Sequence, residues 1–170
     1  MSFEQLIDES AIRDVLFRYC RGIDRRDFDL VRACYHPDAY DEHGDYRGDV
    51  DGFIEHCRAG LARYEMTQHS ISNILIDFSA DRLAAVTEAY TNAFHRLPAS
   101  RTKPRRDFFV ALRYVDRFEK RAGQWAIAKR SCVFTWQRME PIGFEAAWGP
   151  EFGFGRPAPD DPLYEYLGDL

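Results

Sequence analysis

Asp24 is a carboxylate at an unusual place in the sequence. It directly follows Ile23, an apolar residue that continues the buried stripe of the helix predicted before it. A carboxylate at this point either caps a helix end or lies in a cavity, where it could take part in proton transfer. Asp27 suits the capping role better, because it directly precedes the apolar positions of the next predicted helix. This position weakens the capping interpretation of Asp24, although both interpretations stay open at this point.

His69 is the histidine best placed for acid–base chemistry. It begins a predicted strand whose later residues turn inward, so its ring could lie at the rim of a cavity. Imidazole titrates near neutral pH, which suits general acid–base catalysis. A histidine that is merely hydrogen-bonded at the start of a strand explains the pattern equally well. The other histidines are expected at exposed positions or lack partners at metal-ligand spacing: His36, His43, His56 and His95.

The sequence contains none of the common short motifs for metals or phosphate-bearing cofactors. HxH, HExxH and the EF-hand pattern are missing, and so are GxGxxG, the P-loop and GxSxG. We therefore expect neither a metal nor a cofactor.

Helices are predicted first in the chain, and the first of them must carry Asp24. Ile12, Leu16, Tyr19 and Ile23 recur at helical spacing and form one apolar stripe. Two further helices are predicted in the segments DFDLVRACYH and DVDGFIEHCRAGLARY, with a short strand and a turn at Gly44 between them.

Strands are predicted after Tyr64, where the apolar pattern changes to a period of two. Two strand pairs turn at residues 79–81 and around Gly123, and an exposed basic loop over residues 98–106 connects them. Helices followed by consecutive antiparallel strands are typical of an α+β domain with helices packed on one sheet.

Strand faces that mix aromatic residues with an occasional polar group provide the candidates for substrate binding. A ligand pocket needs apolar walls and a few fixed polar groups, but a core with satisfied polar side chains gives the same pattern. The candidates are three tyrosines and three residues of the last strand: Tyr40, Tyr90, Tyr114, Arg130, Phe134 and Trp136.

The last thirty or so residues differ in composition from the rest of the chain. Residues 141–170 hold five of the eight prolines together with several aromatic residues, which is too aromatic for a free linker. We therefore divide the chain into a domain over residues 1–140 and a tail over residues 141–170. The tail is predicted to pack on the mouth of a pocket or on a subunit interface, and disorder of its last residues is the alternative.

Composition excludes several classes of protein. A chain of 170 residues fits one domain with a sizeable core, and a net charge of −5 argues against a nucleic-acid surface. We expect no membrane segment and no export signal, because no apolar run is long enough. Four scattered cysteines are expected to be reduced thiols in a cytoplasmic protein.

The order of elements and three short segments resemble the SnoaL-like branch of the nuclear transport factor 2-like superfamily. The segments are YCRGID at the end of the first helix, MTQHSISNI at the first long strand and GQWAIAKR before the last strand. The resemblance covers roughly residues 5–140. It implies an α+β cone, in which a curved antiparallel sheet and three N-terminal helices enclose a deep pocket. It also implies a homodimer or homotrimer.

The resemblance also implies roles for individual residues. Several cofactor-independent dehydratases and dehydrochlorinases of that branch carry an Asp at the end of the first helix and a His on the first long strand. Carried over, His69 is the general base, and Asp24 orients it and stabilises its protonated form. One such dehydratase has a catalytic Tyr five residues before the Asp, where Tyr19 stands here. A leaving-group arginine on the last strand has no direct counterpart, because Phe134 occupies that position and Arg130 lies four residues earlier.

Our first hypothesis is a cofactor-independent lyase or isomerase that acts on a hydrophobic cyclic or aromatic small molecule. The reaction would be a dehydration or other elimination, a C–C cleavage or a double-bond shift. One alternative is a non-catalytic domain that binds a small apolar ligand. Another is an accessory protein similar to the beta subunit of a ring-hydroxylating oxygenase. Neither alternative needs Asp24 or His69, so replacing these residues would distinguish them from the first hypothesis.

Overall fold

The computed structural model describes residues 2–169 and contains four helices and six strands. In chain order the elements are α1 (Phe3–Arg25), α2 (Phe28–Ala33), β1 (Tyr35–His43), β2 (Tyr46–Asp49), α3 (Val50–Leu61), β3 (Met66–Phe78), β4 (Ala84–Leu97), β5 (Arg106–Arg121), β6 (Gln124–Pro141) and α4 (Pro162–Gly168). The predicted α+β class and the three N-terminal helices are confirmed. Among the described residues, no helix is both long and apolar enough to cross a membrane.

All six strands belong to one curved sheet in the order β2-β1-β6-β5-β4-β3. Neighbouring strands are antiparallel except β1 and β6, which run parallel, so the sheet departs from the predicted antiparallel arrangement at this one pair. The edge strands β2 and β3 do not pair with each other, and the sheet therefore stays open. Helix α1 packs on the concave face and contacts both β3 and β6.

The apolar stripe of α1 is buried as predicted. Ile12, Leu16, Tyr19 and Ile23 are at most 4% exposed. Burying a large apolar side chain stabilises a fold by about 1.5–3 kcal/mol, so this stripe fixes α1 on the sheet. The residue that follows the stripe, Asp24, is thereby brought against the start of β3.

Asp27 caps the N-terminus of α2, also as predicted. Its side chain accepts a hydrogen bond from the backbone N–H of Leu30 at 3.0 Å. Because Asp27 fills this role, the Asp24 carboxylate is free to turn toward β3.

The concave face of β4 carries small residues, and Tyr90, a candidate for substrate binding, lies on the opposite face. Ala89 and Ala93 point inward and are at most 5% exposed, whereas Tyr90 points outward and is 48% exposed. Small side chains on β4 leave room for the rings of Tyr19 and Tyr114, which are both fully buried.

β-Bulges exchange the faces of β3 and β6 part of the way along each strand. Asn73 has a positive φ of 48°, and after it Ile74 points inward instead of Leu75. In β6 the pairing with β5 shifts between Phe134 and Trp136, so that these two residues lie on opposite faces. A bulge adds one unpaired residue and inverts the alternation beyond it.

The convex face of the sheet exposes several large apolar side chains. They are each between 36% and 53% exposed, and they are Val86, Tyr90, Val133 and Trp136. Exposed apolar patches of this kind often mark contacts between subunits. The predicted homodimer or homotrimer stays a prediction, and this face is where we expect its contact.

Asp8 joins the first turns of α1 to β5, to β6 and to the turn between β3 and β4. Its buried carboxylate accepts hydrogen bonds from Lys120 at 2.8 Å, from the Trp125 indole at 2.9 Å and from the guanidinium of Arg82. Burial alone would raise the pKa of Asp8, but these three donors outweigh it and lower the pKa below its ordinary value.

Asp8→Asn is expected to lower the free energy of unfolding by about 1–3 kcal/mol at neutral pH, because the charged hydrogen bonds are lost. A carboxylate with a lowered pKa stabilises the folded state above its unfolded pKa of about 3.9 and loses this contribution as the pH falls through the folded pKa. The difference between variant and wild type should therefore shrink on acidification below about pH 4. Urea unfolding at several pH values measures it.

Asp14→Asn is the matched control for Asp8→Asn. Asp14 lies on the same helix and pairs with Arg18 at 2.6 Å, but both side chains are more than half exposed. Such pairs contribute about 0.3–0.5 kcal/mol. Equal losses for the two variants would show that the Asp8 contacts do not stabilise the fold.

Candidate active site

Asp24 and His69 form a buried hydrogen bond. Asp24 Oδ1 lies 2.7 Å from His69 Nδ1, and the two side chains are 9% and 8% exposed. Asp24 Oδ2 accepts the backbone N–H of His69 at 2.8 Å, and Oδ1 also accepts the Thr67 hydroxyl at 2.9 Å. Residues that are 45 positions apart in the sequence therefore meet where the end of α1 packs on the start of β3.

The surroundings of Asp24 keep its carboxylate ionised at neutral pH. Burial would raise its pKa, but the hydrogen bonds and charge of His69 and the hydroxyl of Thr67 lower the pKa below its ordinary value. An ionised Asp24 accepts the Nδ1 proton of His69 and fixes the ring orientation. His69 Nε2 is then the nitrogen that is free to take a proton from a ligand.

His95 lies beside His69, which the sequence analysis did not predict. The two rings meet edge to face with centroids 5.5 Å apart, and His95 Nδ1 donates to the Phe108 carbonyl at 3.4 Å. Burial, assisted by the charge of His69, lowers the pKa of His95 to about 4. At neutral pH the ring is therefore neutral, and its Nε2 can accept a hydrogen bond. The β3–β4 hairpin pairs His95 with Thr67, so a correct strand register would have revealed this neighbour.

Tyr19, Tyr114 and Arg130 form a second, deeper cluster on the concave face. The Arg130 guanidinium lies between the two rings, 4.0 Å from the Tyr19 centroid and 4.1 Å from the Tyr114 centroid. Its Nε and Nη2 donate to both carboxylate oxygens of Asp116 at 2.7 and 2.6 Å. Burial raises the pKa of Tyr19 well above its ordinary value, so this phenol stays protonated and keeps a proton that it can donate. In the described part of the chain, no hydrogen bond joins Tyr19 to Asp24.

Three of the predicted substrate-binding residues lie on the convex face, away from His69. Tyr90 and Trp136 point outward for the reasons given above, and Tyr40 also points outward, where the Lys129 ammonium lies 5.8 Å from its ring. The structure therefore does not bring these three side chains together with His69. Tyr114, Arg130 and Phe134 do lie on the concave face.

The concave face also carries apolar side chains that are not fully buried. Phe134 is 50% exposed, and Ile71 and Phe108 are partly buried. Within residues 2–169, no three His, Cys, Asp or Glu side chains converge in a way that could hold a metal ion.

A cleft of about 380 Å³ reaches Asp24 and Thr67 from outside. Residues 154–157 of the tail form its other wall. The tail therefore lies beside the Asp24–His69 pair, and its predicted contact with a pocket mouth stays a prediction.

The segment that follows this wall is attached to two residues that come shortly after Asp24 in the chain. Asp161 pairs with the Arg25 side chain at 2.9 Å, and the Ala158 N–H donates to the Arg25 carbonyl at 2.6 Å. The Tyr164 hydroxyl donates to Asp27 at 2.7 Å. These contacts restrain the backbone on the C-terminal side of Asp24.

An open curved sheet, three N-terminal helices and an acid–histidine pair on the concave face together define a nuclear transport factor 2-like domain. Residues 4–131 match the model of the SnoaL-like domain, so the chain belongs to that family. No curated protein matches the sequence significantly.

Solved structures with the same fold include proteins named for elimination reactions. A hexachlorocyclohexane dehydrochlorinase, LinA-type3 from Novosphingobium barchaimii, superposes with a TM-score of 0.73 at 17% identity, over 84% of this chain and 97% of its own. A candidate scytalone dehydratase from Novosphingobium aromaticivorans gives 0.71 at 22% identity, over 91% and 100%. The Kfla4162 protein from Kribbella flavida gives 0.71 at 19% identity, over 79% and 95%. At these identities the similarity establishes the fold.

Proposed function

We propose that this protein is a cofactor-independent lyase or isomerase for a hydrophobic cyclic or aromatic small molecule. The observation that carries the proposal is the buried 2.7 Å hydrogen bond between Asp24 and His69 on the concave face. A structural histidine needs no ionised partner, whereas a general base benefits from one, because the carboxylate stabilises the imidazolium that forms.

His69 Nε2 would remove a proton from a carbon atom next to an electron-withdrawing group. Asp24 would hold the ring and compensate its positive charge. A positioned base of this kind accelerates a reaction by about 10²–10⁴-fold. Tyr19, which stays protonated, would donate to the oxygen on which negative charge develops. The apolar walls of Ile71, Phe108 and Phe134 suit a ring-shaped substrate.

The names of two structural relatives support an elimination. A dehydrochlorinase and a dehydratase both remove a proton from one carbon and a leaving group from a neighbouring one. The same first step, proton removal by a histidine, also begins a double-bond shift, so isomerisation stays within the proposal.

The purified protein should convert at least one activated probe. Suitable probes are scytalone, hexachlorocyclohexane and 3-acetoxycyclohexanone. The last of these loses acetate to give cyclohexenone. The products are detected by absorbance, by chloride release and by chromatography. Conversion of a probe, above the rate in buffer, is the expected result. If no probe reacts while cyclohexanone or another inert apolar ring raises the melting temperature, the protein is a binding domain and the proposal is overturned.

A further inference from the structure

The tail and the edge strand β3 border two cavities that share a wall, and the proposed function gives neither of them a role. The first is the cleft of about 380 Å³ described above, which we call the arginine cleft. The second, which we call the aromatic groove, has a volume of about 720 Å³ and lies between residues 145–154 and the convex side of β3 and β4. Met66 and Phe154 line both cavities, so the two are adjacent.

The part of the tail that borders these cavities is held at both ends by ion pairs. Glu145 pairs with Arg105 at 2.6 Å and also with Arg96. At the other end, Asp161 pairs with Arg25 at 2.9 Å. The walls are therefore held in place by the chain itself. A site that is already formed costs less to occupy, because fewer side chains and loops must be ordered when the ligand binds.

The aromatic groove leaves large apolar side chains uncovered. Trp148, Phe152 and Phe154 are 64%, 47% and 54% exposed, although the tail that carries them is anchored to the rest of the chain. Trp148 and Phe152 contact each other edge to face, with centroids 4.8 Å apart. Met66 and Phe94 complete the apolar lining. The volume and the aromatic walls are those of a site for a small molecule with an apolar body.

The two acids that line the arginine cleft are engaged by groups other than its arginines. Asp24 Oδ1 lies 2.7 Å from His69 Nδ1, and Asp24 Oδ2 accepts the backbone N–H of His69 at 2.8 Å. Glu65 accepts from Arg105 Nε at 3.0 Å. Neither carboxylate therefore uses an arginine of the cleft.

Two of the three arginines of the cleft have no carboxylate partner among the described residues. Arg25 pairs with Asp161, but the side chain of Arg26 donates to a backbone carbonyl, that of Tyr64, at 2.7 Å. Arg156 contacts Asp161 only through its backbone N–H, at 2.9 Å. The chain as a whole carries a net charge of −5, yet this cleft holds two guanidinium groups available to an anion. A guanidinium can hold a carboxylate through two parallel hydrogen bonds.

We infer that the arginine cleft and the aromatic groove together form a binding site for a carboxylic acid with an apolar body. The carboxylate binds Arg26 and Arg156, and the apolar body passes Met66 and Phe154 to lie in the aromatic groove. An apolar molecule without an acid would leave the two arginines unused, and a small anion would leave the aromatic walls uncovered. The groove lies on the convex side of the sheet, so this ligand is distinct from the substrate of His69, and the inference does not depend on the proposed function.

The test uses two probes that share a ring and a chain and differ only in the head group, 6-phenylhexanoate and 6-phenylhexan-1-ol. Isothermal titration calorimetry at neutral pH and low salt measures both dissociation constants. The carboxylate is expected to bind about tenfold more tightly than the alcohol, because charged hydrogen bonds to arginine are added. Arg156→Gln should weaken binding of the carboxylate by about tenfold and change binding of the alcohol less than about twofold.

Trp148→Ala tests the aromatic groove. Both probes should bind about tenfold more weakly to this variant, because the ring loses an aromatic contact. Arg101→Gln is the control, since Arg101 is an exposed arginine that lines neither cavity, and it should leave both dissociation constants unchanged. Arg156 and Trp148 are also exposed, so the variants should fold, and thermal melting checks that they do.

A preference for the carboxylate that Arg156→Gln abolishes, together with weaker binding of both probes to Trp148→Ala, supports the inference. The inference is overturned if neither probe binds, if the two bind equally, or if either variant binds the probes as the wild type does. Sedimentation identifies the other possible occupant, a second copy of the chain. If Trp148→Ala converts a dimer into a monomer while neither probe binds the wild type, the groove is a contact between copies and the inference fails. None of these results bears on the elimination assay, so the proposed function is judged separately.

Discussion

Replacing His69 by glutamine is expected to lower the rate of elimination by about 10²–10⁴-fold, because the variant lacks the base of the proposed reaction. Glutamine keeps a polar side chain of similar length, so the Asp24 carboxylate retains a possible donor and the fold should persist. Initial rates with whichever probe the wild type converts, compared with the rate in buffer, measure the effect. Thermal melting of the variant separates a loss of catalysis from a loss of structure.

Asp24→Asn tests the hydrogen-bond partner of His69 in the same assay. Without the ionised carboxylate, the ring of His69 loses both its fixed orientation and the charge that stabilises its protonated form, so a loss of similar size is expected. The double variant should be little worse than either single one, since the two residues act as a unit. Asp29→Asn, an exposed acid a few residues on, should have no effect. Additive losses would show that the 2.7 Å contact does not couple the two residues in catalysis.

Asp116→Asn is expected to destabilise the protein by about 3–5 kcal/mol, since it leaves the Arg130 guanidinium buried without its counter-charge. Both side chains are 0% exposed, so water cannot replace the lost contacts. For a chain of this size the melting temperature should fall by roughly 10 °C. Chemical denaturation and thermal melting both report the change.

A control variant for Asp116→Asn is available on the convex face of the sheet. Arg113 pairs with Glu88 on the convex side, where both side chains are about one-third exposed, at 34% and 33%. Glu88→Gln should therefore cost about 0–1 kcal/mol. The double replacement of Asp116 by Leu and Arg130 by Met should recover much of the loss, because no charge is then left buried. Equal costs for Asp116→Asn and Glu88→Gln would contradict this account.

The sequence was sufficient to predict the elements of the fold and the Asp24–His69 contact. The stripe of α1 has helical spacing, and the Asp27 cap depends only on the residues next to it. Both features can therefore be predicted from a few consecutive residues. The contact of Asp24 with His69 came from a resemblance and not from the pattern itself.

The faces of the strands could not be predicted in the same way. A bulge at Asn73 and another before Trp136 invert the alternation, and neither has a signal in the apolar pattern. On β4, Tyr90 was a candidate for substrate binding, but the rings of Tyr19 and Tyr114 fill the interior and β4 presents alanine there. His95 was not predicted beside His69, because its neighbours depend on the register between strands.

The attachment of residues 158–164 to Arg25 and Asp27 has a consequence for the order in which the molecule is built. The family match ends at residue 131, so these anchoring residues lie outside the shared domain. During translation they emerge after all six strands, so Arg25 and Asp27 receive these restraints only then. The contacts that hold the chain directly after Asp24 are therefore among the last that the new protein can form.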